Sequence, residues 1–434
     1  MPTTSPTVQD LTPRSRIKVL WASLIGTSLE SYDFYVFSYL SVLFLGPLFF
    51  EPLGAFGGTL AALLTNALGF VARPLGAIVF GHLGDRIGRR RTLIITITIM
   101  GVATGLIGVL PTYAAAGWVG AILLVTLRLI QGFSLGGEWG GGILLATESA
   151  GGKRHAFYAA FPQLGSPIGS IITALLYLLL PVAIGFDAFL EWGWRVPFLA
   201  AIPFLLVSLW LRISIDETPV FKEVLAEGKR ERVPLAVVFR TKPLALILAI
   251  GAALLGIGSY SLMNSYTLEY GAAQLGYAYN DLLLAVTIGG LLQLVTIPLF
   301  GVWANRIGSW KVVFIGAIGT LIVAFPIYFL LQSASFAVLV GMMIIGGILP
   351  TMSWAALGGL LAELFGARIR YSGIAFAYAI AAIISGFLLP LTYAFGEAVA
   401  NAWWHPAIVL AAISIITAVS AFVARTRTEP IEAV

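Results

Sequence analysis

The sequence contains no cysteine, and only 10% of its 434 residues are charged. Disulfides, thiolate metal sites and thiol catalysis are therefore excluded. A soluble globular domain has roughly 25% charged residues, so this low charge content, with 59% hydrophobic residues, indicates a chain that faces lipid and other apolar helices. The 48 glycines fit a bundle of membrane helices that approach one another closely.

Signatures of enzymes and of ATP-driven pumps are also missing. The three histidines, His82, His155 and His405, are scattered along the chain, and no HExxH motif occurs. The stretch GGKR at 151–154 lacks the Ser or Thr and the spaced upstream glycine of a phosphate-binding loop. The sequence therefore predicts a protein that is not an enzyme, with no cofactor, no metal site and no nucleic-acid partner.

Hydrophobic runs predict twelve membrane spans. Their approximate cores are residues 19–46, 57–81, 92–111, 118–146, 156–181, 196–212, 243–268, 281–304, 311–331, 335–362, 371–396 and 404–424. The longest polar stretch lies between the sixth and seventh spans. The predicted fold is an all-α integral membrane protein of twelve transmembrane helices in two six-helix bundles, residues 1–212 and 243–434, related by pseudo-two-fold symmetry and joined by a cytoplasmic linker at 213–242.

The positions of the basic residues predict the orientation of the chain. If the N-terminus lies inside, every Lys and Arg except Arg73, Arg128 and Arg195 falls in a cytoplasmic segment or at its border. We therefore expect a multi-pass protein of the cell (inner) membrane with both termini in the cytoplasm. A monomer is the default expectation for its oligomeric state.

Two internal echoes support the division into halves. GHLGDRIGRRRTLI (81–94) follows the second span, and GVWANRIGSWKVVF (301–314) follows the eighth. LLATESAGGKR (144–154) and LLAELFGAR (360–368) follow the fourth and tenth spans in the same way. Halves that repeat in the same orientation are typical of one class of secondary transporter.

Several motifs resemble those of a known family. GHLGDRIGRRR (81–91) resembles the loop between the second and third spans of the major facilitator superfamily. The stretches ESYDF (30–34), GFVARPLGAIVFGHLGDRIGRR (69–90), RLIQGFSLGGEWGG (128–141), WGWRVPF (192–198), ETPVF (217–221) and ELFGARIRYSG (363–373) resemble its metabolite:proton symporter branch, nearest to shikimate-type and related organic-acid carriers. The resemblance implies transport by alternating access around a central cavity lined by spans one, four, seven and ten.

The chain departs from the family pattern at two places. Ser31 stands where the family usually has Trp, and the loop after the eighth span has Asn305, Ser309 and Trp310 in place of Asp and basic residues. Asn305 keeps the hydrogen-bonding capacity of Asp and loses the charge. We therefore expect a weaker contact at the second loop than at the first.

The two loops are interpreted as gates on the cytoplasmic side. Asp85 follows a glycine and can accept hydrogen bonds from amides at a helix N-terminus, and Arg86 can pair with carboxylates such as Glu148 on a neighbouring helix end. The predicted gating residues are Gly81, Gly84, Asp85, Arg86, Gly88, Arg89, Arg90, Glu148, Asn305 and Arg306. The alternative is that the basic residues only anchor the orientation, which is the favoured interpretation for Arg91.

Charges predicted deep in the spans all fall in the first half. They are Glu30, Asp33, Arg73, Arg128 and Glu138. Neighbouring carboxylates repel each other, so at least one of Glu30 and Asp33 is expected to hold a proton near neutral pH. The predicted proton-coupling residues are Asp33, Glu30, Arg128 and Glu138, with Asp33 ranked first because Tyr32 and Phe34 flank it.

Structural roles remain open for the same charges. A static ion network could hold the first half together. Glu138 lies among glycines and could anchor tight helix packing. Arg73 precedes Pro74 and could satisfy carbonyls that the proline frees.

The second half offers hydrogen-bonding groups in its spans. Tyr260 and Asn264 lie four residues apart in the seventh span, and Tyr378 lies in the eleventh. The predicted substrate-binding residues are Arg128, Gln131, Tyr32, Tyr260, Asn264 and Tyr378. A small hydroxylated or carboxylated metabolite suits a site between a charged half and a hydrogen-bonding half, because Arg128 can bind a carboxylate.

The most favoured function is therefore a proton-coupled symporter that imports a small organic acid or a related polar metabolite by alternating access. Its expected partners are the small-molecule substrate, protons and the lipid bilayer. An organic-anion exchanger is the main alternative, and a transporter-like nutrient sensor is a further one.

Overall fold

The computed structural model describes residues 13–87, 89–136, 154–213, 234–365 and 369–428. Within these ranges the chain is almost entirely helical and contains no strand. Long apolar segments become helices in hydrocarbon because each backbone N–H must find its partner inside the segment. By length and composition, ten of the described helices can cross a membrane.

Each of the twelve predicted spans is found as a helix or as consecutive helices. Numbered in chain order, spans one to six are Pro13–Leu43, Gly54–Ile87, Arg89–Ile107, Trp118–Leu135, His155–Gln163 with Gly165–Ile184, and Val196–Ile213. Spans seven to twelve are Pro243–Tyr260 continued by Ser261–Tyr266 and Thr267–Ala273, then Tyr279–Ile307, Ser309–Leu331, Phe336–Leu364, Arg370–Ala398 and His405–Ala424. Short helices at Leu45–Phe49, Tyr113–Ala116, Phe186–Glu191 and Pro234–Thr241, with single 3₁₀ turns at Glu51–Leu53 and Gly193–Arg195, complete the described chain.

A wide helical turn interrupts span seven. Residues Ser261–Tyr266 form a π-helix between two α-helical segments. Its residues are all buried, and Ser261 lines the central cavity described below. Such π segments are rare and occur often at functional sites, and the sequence pattern did not indicate this one.

The two halves meet through equivalent pairs of spans. Span two packs against span eleven, and span five packs against span eight. Spans two and eight occupy equivalent positions in the two halves, as do spans five and eleven, so the two contacts are equivalent. Span one meets span seven, where the Ser38 and Ser265 hydroxyls are 2.8 Å apart. This arrangement is the pseudo-two-fold relation that the internal echoes predict.

Large apolar side chains cover the outside of the bundle. Val182, Trp210 and Ile322 are each about two-thirds exposed or more, and many other Leu, Ile, Val and Phe side chains are exposed around the helices. A water-soluble protein rarely exposes so continuous an apolar surface. The exposed belt is the surface that faces lipid in a multi-pass membrane protein.

Candidate functional site

Close packing of spans two and four positions two buried arginines, Arg73 and Arg128. A methyl group on Gly76 would overlap the Phe133 carbonyl oxygen, and one on Gly132 would overlap the Gly69 carbonyl oxygen. Only glycine allows the two backbones to approach this closely. The contact holds Arg73 of span two and Arg128 of span four at fixed positions inside the bundle.

A cavity lies between the two halves. Spans one, two and five line it from the first half, and spans seven, ten and eleven line it from the second. Its empty volume is about 650 Å³, including space continuous with solvent.

Glu30 and Arg73 are the charged residues in the cavity lining. Arg73 Nη1 lies 3.4 Å from Glu30 Oε1, and both side chains are about nine-tenths buried. The Arg73 guanidinium stacks over the Phe70 ring at 4.6 Å, and Tyr378 lies beside the pair. The sequence predicts Arg73 as a buried charge but indicates no place for it in the site. The signal for its role was an arginine deep in a span, next to a proline that could equally explain it.

Asp33 and Arg128 form a second ion pair, which lies outside the cavity lining. Arg128 Nη1 is 3.5 Å from Asp33 Oδ2, Arg128 Nη2 donates to Asn66 Oδ1 at 2.7 Å, and both charged side chains are almost fully buried. Asp33 also accepts hydrogen bonds from the Gln131 amide at 2.6 Å and from the Thr104 hydroxyl. Spans one, two, three and four therefore all contribute to one enclosed polar network.

The structure separates the predicted substrate-binding residues into two groups. Tyr260 and Tyr378 line the cavity. Arg128 and Gln131 belong to the enclosed network, and Tyr32 points to span six, where its hydroxyl donates to the Pro197 carbonyl at 2.5 Å.

Asn264 is buried within the π-helical segment and lies within hydrogen-bonding reach of Tyr39. It is not part of the cavity lining.

A hydrogen-bonded pair in the cavity lining, Gln163 and Trp354, connects the two halves. The Gln163 amide of span five donates to the Trp354 carbonyl at 3.2 Å, and the Trp354 indole N–H donates back to the Gln163 carbonyl at 3.4 Å. Both residues line the cavity. Sequence reasoning could identify neither pairing, because the partners are far apart in the chain. In the second half, Gln293 accepts a hydrogen bond from the Tyr260 hydroxyl.

Polar contacts also join the halves at the span ends that the sequence predicts to be cytoplasmic. His155 Nε2 lies 3.1 Å from Glu363 Oε1, and the Ser309 hydroxyl donates to the same oxygen at 2.6 Å. Asn305 Oδ1 accepts a hydrogen bond of 3.0 Å from the backbone N–H of Ala156. Arg306, next to it, is exposed.

Most other predicted gating residues have no described side chain. Gly81, Gly84, Asp85, Arg86, Arg89 and Arg90 lie in described helix, at the end of span two and the start of span three. Gly88 and Glu148, together with the predicted proton-coupling residue Glu138, lie outside the described residues.

The family model of the Major Facilitator Superfamily matches residues 25–290 and 248–433, which together span nearly the whole chain. The chain belongs to the major facilitator superfamily. It is therefore a transporter and not an enzyme, and the twelve-helix fold in two bundles is confirmed.

Relatives of this superfamily protein are carriers of metabolites. The chain is 37% identical over 390 residues to the inner membrane metabolite transport protein YhjE of Escherichia coli, covering 88% of each chain. It is 34% identical over 409 residues to the shikimate transporter of Escherichia coli, covering 92% of each. It is 31% identical over 418 residues to the proline/betaine transporter of Salmonella typhimurium, covering 93% of this chain and 83% of that protein.

Solved structures show the same fold. The proton:xylose symporter XylE, bound to 6-bromo-6-deoxy-D-glucose, aligns with a TM-score of 0.75 at 19% identity, covering 96% of this chain and 97% of that chain. At this identity the likeness establishes the fold alone. Its family and its curated relatives show that the chain is a multi-pass membrane transporter of metabolites.

Proposed function

We propose that the chain is a proton-coupled symporter that imports a small organic acid, or a related polar metabolite, by alternating access. The observation that carries the proposal is the Glu30–Arg73 pair inside the cavity between the halves. A carboxylate in a cavity that opens to each side in turn can bind a proton on one side and release it on the other. An arginine beside it supplies the planar donor fork that suits a carboxylate.

The relatives support an organic substrate. Those at more than 30% identity include proteins named as metabolite, shikimate and proline/betaine transporters. Their substrates differ, so the restriction to an organic acid rests on Arg73 in the cavity. The buried second pair, Asp33–Arg128, supports a coupling role for the first half as a whole, because three further polar side chains fix its geometry next to the cavity.

We further propose that the cytoplasmic contacts are a gate. Glu363 with His155, and Asn305 with Ala156, join the halves through hydrogen bonds that a rocking motion can break and remake. The loop residues Gly81, Gly84, Asp85, Arg86, Gly88, Arg89 and Arg90, with Glu148 and Arg306, are proposed parts of the same gate. The proposed protein is a monomer in the cell membrane, with both termini cytoplasmic, bundles at 1–212 and 243–434 and a linker at 213–242.

The proposal is tested by uptake into proteoliposomes that contain no substrate. Symport predicts that an inward proton gradient drives accumulation and that a protonophore abolishes it. Exchange predicts accumulation only when a counter-substrate is loaded inside, whatever the proton gradient. Accumulation that requires internal counter-substrate would therefore replace symport by the exchanger alternative.

A further inference from the structure

Arg73 retains unused donor capacity in the cavity. Its contact with Glu30 is a single nitrogen–oxygen pair at 3.4 Å, longer than the roughly 2.7–2.9 Å of a tight charge-assisted hydrogen bond. Its Nε is buried and has no hydrogen-bond partner among the described residues. A buried donor without a partner is unfavourable, so an anion that reaches this nitrogen gains binding free energy.

Arg128 lacks this capacity although it also has an unpartnered Nε. The Gly69 backbone packs against the Arg128 side chain so closely that a methyl group on Gly69 would come within 3.0 Å of that nitrogen. The Arg128 Nη atoms are already bonded to Asn66, Gln131 and Asp33. Of the two arginines, Arg73 is therefore the one that a ligand in the cavity can bind.

The charges in the cavity set a condition on any anionic ligand. With Glu30 ionised, the Glu30–Arg73 pair is neutral, and a bound carboxylate would add one uncompensated negative charge in a buried site. Such a charge is costly away from water. If Glu30 takes a proton from solution as the ligand arrives, the Arg73–ligand pair is neutral and Glu30 is neutral.

We propose that Arg73 binds the carboxylate of the substrate in place of Glu30, and that Glu30 accepts one proton in the same step. The proposal rests on the proposed function and deepens it by naming the coupling residue and the substrate class. The bond that breaks is the Glu30–Arg73 ion pair, and the bonds that form are Arg73 to substrate carboxylate and proton to Glu30 carboxylate. The net charge of the cavity is unchanged, so one carboxylate enters with one proton.

The rest of the lining identifies the substrate as a compact, hydroxylated monocarboxylate. Phe34, Phe70 and Trp354 supply apolar surface for a carbon ring or short chain. Gln163, Ser261 and Ser385 supply hydrogen-bonding groups, and the Ser385 hydroxyl is buried without a partner among the described residues. Among the described residues of the lining, a second carboxylate on the ligand would meet no further cation, so dicarboxylates are disfavoured.

The titratable groups around Glu30 come from several elements. Arg73 of span two and Tyr378 of span eleven are its neighbours across the cavity, and Tyr35 of its own helix and Tyr260 of span seven line the same space. One helical turn further on, Asp33 pairs with Arg128 in the enclosed network. Among these groups Glu30 is the carboxylate that reaches both Arg73 and the cavity.

The test measures ligand binding and proton uptake together on the purified full-length protein. A thermal-shift panel of shikimate and quinate (hydroxylated monocarboxylates), methyl shikimate (its uncharged ester), 2-oxoglutarate and citrate (dicarboxylate and tricarboxylate), and glycine betaine (a zwitterion) selects the probe. We expect a hydroxylated monocarboxylate to stabilise the protein most and the ester to have little effect. A panel in which no monocarboxylate binds, or in which di- and tricarboxylates or betaine bind best, overturns the proposal.

Calorimetric titration of the selected monocarboxylate in two buffers of different ionisation enthalpy then counts protons. The wild type should take up about one proton per ligand, and its affinity should fall about tenfold for each pH unit on the alkaline side. Glu30→Gln should bind without proton uptake and with an affinity that no longer depends on pH. Arg73→Lys should weaken binding by about tenfold or more, because lysine keeps the charge and loses the donor fork. Glu397→Gln, the same change on an exposed carboxylate, should behave as wild type.

The outcomes separate this inference from the function on which it rests. If Glu30→Gln still takes up one proton per ligand, the inference is wrong, while symport can still be shown by proton-driven accumulation in the wild type. If the wild type binds one proton per ligand but accumulates nothing under a proton gradient, symport is wrong and the binding site stands.

Discussion

The two ion pairs of the first half use the same chemistry in different surroundings. Arg128 and Asp33 are held by Asn66, Gln131 and Thr104 in an enclosed network, and the Phe37 ring lies 4.4 Å from the Arg128 guanidinium. Arg73 and Glu30 meet through one long contact at the edge of a cavity shared by both halves. Burial alone therefore does not indicate the role of a charged residue in a membrane protein. We propose that the surroundings, an enclosed network or the edge of a cavity, distinguish a pair that holds the bundle together from one that can exchange a partner.

We expect the largest difference between the two ion pairs when one arginine is removed at a time. Arg128→Met leaves Asp33 buried without its counter-charge, so we expect a loss of about 3–5 kcal/mol of stability. Arg73→Met should cost clearly less, because Glu30 lies at the cavity and can be solvated there. Thermal unfolding of the detergent-purified variants measures both. Equal losses of stability would mean that the two ion pairs contribute equally to the stability of the bundle.

Separating spans two and four should disturb both pairs at once. Gly76→Ala forces a methyl group into the Phe133 carbonyl, and backbone at that point cannot rotate away. We expect a stability loss of about 1–3 kcal/mol or more and slower transport. Gly341→Ala is the matched control, because a methyl group on that helical glycine would meet nothing within 4 Å. A wild-type melting temperature for Gly76→Ala would show that the close approach does not position the arginines.

Neutralising each carboxylate separately should show whether the two ion pairs differ in function. From the geometry we expect Glu30→Gln to lose proton-driven accumulation while counterflow of labelled substrate is preserved, because exchange needs no deprotonation. Asp33→Asn should mainly lower stability, since Arg128 loses its partner charge inside the enclosed network. From the sequence alone, Asp33 is expected to be the main proton site, which is the opposite assignment. Paired accumulation and counterflow assays in proteoliposomes decide between them, and normal accumulation in both variants would point to Glu138.

Changing the aromatic ring beside each arginine should have the smallest effect. Phe70→Leu removes a cation–π contact at the cavity, and Phe37→Leu removes one in the network; each contact contributes about 0.5–2 kcal/mol. We expect the first to weaken binding of a monocarboxylate by a few-fold and the second to lower the melting temperature. Ligand titration and thermal unfolding of both variants form the measurement. The reverse pattern would reverse the roles of the two pairs.

Much of the fold was predictable because hydrocarbon imposes simple rules on sequence. Twelve apolar runs became twelve spans, and the echo between the loops after spans two and eight anticipated the two-fold relation of the halves. The candidate site was less predictable. Tyr260 and Tyr378 line the cavity as expected, whereas Arg128, Gln131 and Tyr32 point into the first half. Helical spacing locates a residue along a span but leaves open which neighbouring helix it faces.

From the sequence alone one can predict that the chain lies in a membrane, that it has twelve spans and that some spans carry charged residues. Such charges are costly in hydrocarbon, which indicates a structural or functional role. Each of these properties depends on local composition, which can be read directly from one sequence. Only the tertiary structure shows which carboxylate pairs with which arginine. Glu30 and Asp33 are three residues apart in one helix, yet the first pairs with span two at the cavity and the second with span four in an enclosed network. The physical reason is the glycine-mediated approach of spans two and four, which sets where each guanidinium lies relative to span one.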